Sequence, residues 1–239
     1  MEFWDDPIPG HQYVIGADFA YGIQGRDYDA AVVLDATEFM RTGVAPQVCE
    51  MHGHWGEAFH TLLYACIRYW NGAFLLGERQ VGLMCLRTLY DRYQWRWMYY
   101  EKKLENAAAV EDSAMRLGYH KSGNDYMVAR LREAVRIKRL DLRSTTLVEQ
   151  LAKVQWRGST AEARTMEREP DERLKMKLSG GGSPDLAWAC GYANLALECV
   201  HEFEQERPKL PPGSLGMIAG LPELLPEVYG SSNKSPHWH

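Results

Sequence analysis

Two short apolar runs lie near the amino end, Tyr13-Val14-Ile15-Gly16-Ala17 and Ala30-Ala31-Val32-Val33-Leu34. The segment between them is rich in Gly and Asp (Gly22, Gly25, Asp27, Asp29). Apolar runs of this length on either side of turn residues predict two strands of a hairpin. Gln47-Val48-Cys49-Glu50-Met51 predicts a third strand and an antiparallel meander. From Gly56 to Trp70 the spacing becomes helical, with Phe59, Leu62, Leu63, Cys66, Ile67 and Trp70 on one face, and Asn71-Gly72 stops the helix. Ala73-Phe74-Leu75-Leu76-Gly77 is then continuously apolar, as in a strand covered on both faces. A strand reached through a crossover helix is expected parallel in the same sheet, here beside strand 13–18.

Further along, the pattern predicts a helix over 82–93, a strand over 95–99 and a loop with a helical turn over 101–119. Asn124 caps a predicted helix to about Ile137, with Met127, Leu131, Ala134 and Val135 inward. A short strand at 140–142 and a short helix over 147–154 follow. In the polar stretch 156–179, Leu174, Met176 and Leu178 alternate with Arg173, Lys175 and Lys177, as in a hairpin. After Gly180-Gly181-Gly182, Ser183 as cap and Pro184 in the first turn open a last helix to about Phe203. The expected organisation is a lead-in at 1–10, one α/β domain over 11–207 with a mixed central sheet flanked by helices, and a Pro/Gly-rich tail at 208–239.

Composition narrows the classes. A chain of 239 residues with 46% hydrophobic residues, eight Trp and thirteen Tyr can fill one core. No run approaches the roughly 18 apolar residues of a membrane span, and no signal-peptide pattern opens the chain. The five Cys form no C-x-x-C pair and read as reduced thiols. At a net charge of −5, a nucleic-acid surface would have to be a local patch. No G-x-x-x-x-G-K-[ST] occurs, so no P-loop ATPase is expected.

The chemistry lies in three carboxylates. Asp18 ends the first strand of the hairpin, Glu78 ends the parallel strand, and Asp185 starts the last helix. Clustered carboxylates repel unless a hard cation neutralises them, and all-oxygen ligand sets suit Mg²⁺ or Mn²⁺. Two such ions about 4 Å apart can activate a water and stabilise the leaving oxygen of a phosphodiester.

These residues also carry a resemblance. Val14-Ile15-Gly16-Ala17-Asp18-Phe19-Ala20-Tyr21-Gly22 followed by Arg26-Asp27-Tyr28-Asp29-Ala30 resembles the opening of the nuclease domain of phage large terminase subunits. Gly77-Glu78-Arg79-Gln80-Val81-Gly82 is similar to that family's second acidic motif, and Gly118-Tyr119-His120-Lys121 with the helix after it to a further stretch. Gly182-Ser183-Pro184-Asp185-Leu186-Ala187 resembles the last motif, except that Pro184 stands where the first of two adjacent Asp is usual. The resemblance runs from about Tyr13 to Leu197. It implies a ribonuclease H-like fold and a metal-dependent endonuclease that cuts concatemeric double-stranded viral DNA during genome packaging. It implies Asp18, Glu78 and Asp185 as catalytic metal ligands for two Mg²⁺ or Mn²⁺ ions. The family's partners are an ATPase motor domain, a small terminase subunit and a portal, and its setting is the cytoplasm of an infected host cell, with no membrane. Without a motor, the chain is expected to be an isolated nuclease domain or a separately encoded half.

Other residues have a functional and a plainer reading. Asp27 and Asp29 are further metal-ligand candidates, but turns favour Asp for local reasons. Arg79 is a phosphate contact or a solvent-facing cation, and Lys121 a DNA-binding candidate within its motif. Arg132, Arg136 and Arg139, at i, i+4 and i+7, make either a solvated helix face or a track for a DNA backbone. Arg157, Arg173, Lys175 and Lys177 carry the same two readings. His52 and His54 share a strand face and read as a strand-end pair more than as metal ligands. The alternatives to the nuclease are a non-catalytic DNA-binding or packaging module of the same fold and another ribonuclease H-like nuclease, such as a junction resolvase or an RNA–DNA hybrid nuclease.

Overall fold

The computed structural model describes residues 1–20, 28–102, 115–120, 124–156, 176–178 and 183–201. Tyr13–Asp18 (β2, after β1 at Glu2–Phe3) pairs antiparallel with Asp29–Asp35 (β3), in register from Tyr13 opposite Asp35 to Asp18 opposite Ala30. Asp35 closes β3 and caps α1 (Ala36–Thr42) by accepting from the Glu38 N–H at 2.9 Å. β4 (Ala45–Gly53) returns antiparallel to β3 with a bulge between Val33 and Leu34. The expected meander is therefore present. The lead-in residues Glu2–Phe3 also join it, antiparallel to Cys49 and Glu50 on the outer edge of β4.

A 3₁₀ turn at Gly56–Ala58 leads into α2 (Phe59–Tyr69), which buries Phe59, Leu62, Leu63, Cys66 and Ile67. This crossover delivers β5 (Phe74–Gly77) parallel to β2, with Gly16 opposite Leu76 and Ala17 opposite Gly77. The main path of the sheet is β1-β4-β3-β2-β5, with one further strand, β8 (Leu140–Asp141), parallel to β4. Apart from their terminal Asp residues, β2 and β3 carry only buried residues with no charge, because both faces are covered.

Beyond β5 the pattern and the structure diverge. Helix 82–93 is a short α3 (Leu83–Arg87) that runs on as a π turn over Thr88–Arg92. The strand expected at 95–99 is a single bridge, Leu75 to Met98, because Trp95 and Trp97 bury their rings in the core instead of extending the edge. The loop expected at 101–119 holds two antiparallel strands, β6 (Tyr100–Lys102) and β7 (Met115–Leu117). α4 (Asn124–Arg136) buries Met127, Leu131 and Ala134, whereas Val135 is 40% exposed, one position off the inward face. β8 (Leu140–Asp141) and α5 (Thr145–Lys153) follow. β9 (Val154–Trp156) and β10 (Met176–Leu178) pair antiparallel, so the two ends of the expected hairpin meet.

α6 (Asp185–Cys199) is almost wholly buried and lies on β2 and β3, with α4 and α5 against its other sides. Gly16 makes this close approach possible: a Cβ there would stand 2.1 Å from the Ala189 carbonyl oxygen and 2.1 Å from the Ala193 amide nitrogen. The opposite face of the sheet carries α2 and α3, where Phe19 meets Phe59 at 5.6 Å between ring centroids. Glu198 ties α6 to its neighbours by accepting from Arg130 and Arg139 at 2.6 and 3.0 Å. Among the described residues no helix is long and apolar enough to cross a membrane.

Candidate active site

Strand alternation sorts the sheet's side chains. Gly16 faces α6, so Asp18, two residues on, faces the same way. Leu76 is opposite Gly16, which puts Glu78 on that face as well. The Glu78 amide donates to the Ala17 carbonyl at 3.2 Å, so the two acids stand side by side where adjacent parallel strands end. Continuing across the sheet, Asp18 is opposite Ala30, and Ala30 is opposite His52. Glu78, Asp18, Ala30 and His52 thus form one row beneath α6.

The helix supplies the third acid by the same arithmetic. Asp185 precedes Ala189 by one turn, roughly 6 Å of rise. Asp18 follows Gly16 by two strand residues, roughly 7 Å. Gly16 and Ala189 touch, so the first residue of α6 comes down over the row. Two contacts fix it: Asp185 Oδ2 lies 3.7 Å from His52 Nε2 and accepts from the Tyr28 backbone N–H at 3.1 Å. Ser183 Oγ donates to the other oxygen, Oδ1. Ser183 is therefore a brace for the acid, not the expected helix cap. The cap position is Pro184, whose carbonyl accepts from Trp188.

Tyr192 in α6 is buried within electrostatic reach of Asp18 and Glu78. Burial pushes its hydroxyl well above the usual tyrosine range, the charges of Asp18 and Glu78 push further, and a hydrogen bond with Asn124 opposes them. Glu78 and Asp185 are 4% and 3% exposed, so both carboxyl groups lie in a region of low dielectric.

The other candidates separate. Asp29 is 2% exposed and accepts from the backbone N–H groups of Ala20 (2.9 Å), Trp55 (3.1 Å) and Gly56 (2.9 Å). It clamps the chain on either side of the site. Asp29→Ala orphans these donors, and we expect a loss of about 3 kcal/mol in denaturant unfolding; a loss below ~1 kcal/mol would show that the clamp is dispensable. Arg79 turns inward: it donates to the carbonyls of Leu117, Arg116 and Gly118 at 2.8–2.9 Å and pairs with Glu101 at 2.9 Å. That geometry holds β7 to the end of β5. The stripe Arg132, Arg136, Arg139 is broken because α4 ends at Arg136; Arg139 pairs with Glu198 and covers the Phe39 ring at 4.5 Å. Arg132 and Arg136 are exposed on α4, Arg136 paired with Glu133. Lys177 lies in β10. Asp27, Lys121, Arg157, Arg173, Lys175, Gly180-Gly181-Gly182 and the tail 208–239 lie outside the described residues.

Sequence reasoning set aside His52 and did not reach Tyr28 or Tyr192. The alternation of His52 and His54 after an apolar strand placed the imidazoles on one face, but Asp185, 133 positions further on, shares no local pattern with His52. Among the described residues no group of three His, Cys, Asp or Glu side chains stands ready to hold one ion. The donor chemistry of Asp18, Glu78 and Asp185 would still fit a hard divalent cation, since they offer carboxylate oxygen alone.

No protein-family model and no curated protein matches the sequence. Solved structures do. The large terminase nuclease from thermophilic phage G20c is similar with a TM-score of 0.54 and 19% identity, over 80% of this chain and 85% of that one. The same nuclease with bound magnesium is similar with a TM-score of 0.54 and 18% identity, over 81% and 85%. The nuclease domain of the Thermus phage P74-26 large terminase is similar with a TM-score of 0.52 and 18% identity, over 80% and 83%. The chain has the ribonuclease H-like fold that phage large terminase nuclease domains share.

Proposed function

We propose that the chain is a divalent-metal-dependent endonuclease for double-stranded DNA, acting in viral genome packaging as the nuclease part of a large terminase. The observation that carries this reading is the placing of Asp18 and Glu78 on adjacent parallel strand ends, on the face that Asp185 approaches from the start of α6. Three acids from distant parts of the chain are costly to bring together in a buried site without a cation. The solved structures of this fold are nucleases, and one carries bound magnesium.

Asp18, Glu78 and Asp185 would hold the metal. Two Mg²⁺ or Mn²⁺ ions supply, when bound, an activated water and charge neutralisation at the scissile phosphate. The protein's own residues set the stage for this. Gly16 lets α6 come close enough for Asp185 to reach the sheet end. Tyr28 N–H and Ser183 Oγ aim its carboxylate. Asp29 fixes the backbone on both sides. Exposed Arg132 and Arg136, with Lys121, Arg157, Lys175 and Lys177, are the proposed contacts to the phosphate backbone, which would make binding fall steeply with salt.

A non-catalytic packaging module of the same fold has one observation in its favour: both oxygens of Asp185 are already engaged by Tyr28 and Ser183. Supercoiled plasmid separates the two readings. Mn²⁺ or Mg²⁺ is expected to support nicking with little sequence preference, and Ca²⁺ to support binding without cleavage. Cleavage that persists in EDTA, or none with any divalent ion, rules out the nuclease as proposed.

A further inference from the structure

Beside the acids stands an aromatic group that the nuclease reading does not use. Tyr28 immediately precedes the clamp residue Asp29, and the residue is 40% exposed. It stacks on His54 with ring centroids 3.9 Å apart and an interplanar angle of 26°, and sits against His52 at 4.6 Å and 47°. Its own backbone N–H holds Asp185. The ring is thus fixed relative to the acid at three points: the amide on Asp185, the stack on His54, and the neighbouring Asp29 carboxylate pinned by three backbone donors. Both imidazoles, His52 from β4 and His54 just beyond it, pack against the ring.

We propose that Tyr28 is a stacking ledge for one unpaired base of the DNA, next to the phosphodiester held at the acids. This rests on the nuclease reading and adds to it the state of the substrate. A flat, partly exposed aromatic ring suits a base, since every base offers a π face and stacking ignores sequence. That agrees with a chain in which no base-reading motif is visible. The base has to be unpaired because bases inside a duplex are already stacked on both sides. The ledge therefore favours DNA that is gapped, frayed or opened at the cut site over a closed duplex.

The test uses the full chain in Ca²⁺, with two oligonucleotide substrates: a closed duplex, and the same duplex with a three-nucleotide gap carrying 2-aminopurine. Wild type and Tyr28→Phe are expected to quench the fluorophore on binding. Tyr28→Ala is expected to lose the quenching and to bind the gapped substrate about tenfold more weakly, with affinity for the closed duplex unchanged. The Tyr28 amide stays in Tyr28→Ala, so Asp185 keeps its donor, and circular dichroism checks the fold. Quenching by Tyr28→Ala equal to wild type, or equal weakening on both substrates, overturns the ledge while plasmid nicking by the wild type leaves the nuclease reading standing. Failure of the wild type to bind any DNA or to nick plasmid removes both.

Discussion

Asp185→Asn is expected to leave a folded protein that nicks plasmid roughly a thousandfold more slowly than wild type. Asparagine can serve both partners of the native carboxylate. Its oxygen can accept from the Tyr28 N–H, and its NH₂ can donate to Ser183 Oγ, which reverses its role. Thermal stability should therefore change little, by about 1 kcal/mol at most. What disappears is one negative charge above Asp18 and Glu78. Mn²⁺ titration by calorimetry should show weakened binding in parallel with the lost activity. A folded Asp185→Asn protein that nicks near the wild-type rate would make Asp185 a helix-start residue only, and would shift attention to Asp27 as the third ligand.

The second large effect is expected at Gly16. Gly16→Ala adds a methyl where the nearest atoms are backbone, 2.1 Å away at Ala189 and Ala193 and 2.8 Å at the Ala193 Cα. A flexible side chain could move aside, but α6 would have to lift as a unit, and it is buried along nearly its whole length. The cost should be about 3 kcal/mol or more, at the upper end for an overpacked core. The lift would also carry Asp185 away from the sheet end. Denaturant unfolding and Mn²⁺ binding should therefore both deteriorate in this one variant. A destabilisation under ~1 kcal/mol would mean that helix and strand do not meet as closely as this geometry requires.

Much of the frame was legible because it is written in local periods. The hairpin, the crossover and the parallel strand follow from short apolar runs, a helical face from Phe59 to Ile67, and turn residues between them. The acids at 18 and 78 could be located because each ends an apolar run. Local pattern failed where long-range packing chose among options that look alike in sequence. Trp95-Arg96-Trp97 alternates like a strand, but its two indoles are core pillars that allow one bridge. Arg79 beside Glu78 looks like a phosphate contact, and only the arrival of residues 116–118 shows where its donors go. Ser183 before a Pro reads as a cap, yet it braces the acid two residues later. Tyr28 meets Asp185 across 157 positions, a contact that no window of the sequence contains.

The order of parts along the chain bears on when the acids can meet during synthesis. The first two come from strands that are complete by residue 78, whereas the third arrives only with α6, the last helix described. A nascent chain grows by roughly 5–20 residues each second, so the growing polypeptide passes several seconds with two acids made and the third missing. A ribosome that stalls before residue 185, or a protease that cuts ahead of it, would release a piece carrying much of the sheet and no complete acid centre. On the nuclease reading proposed above, the three acids can act together only in a chain translated past the start of α6.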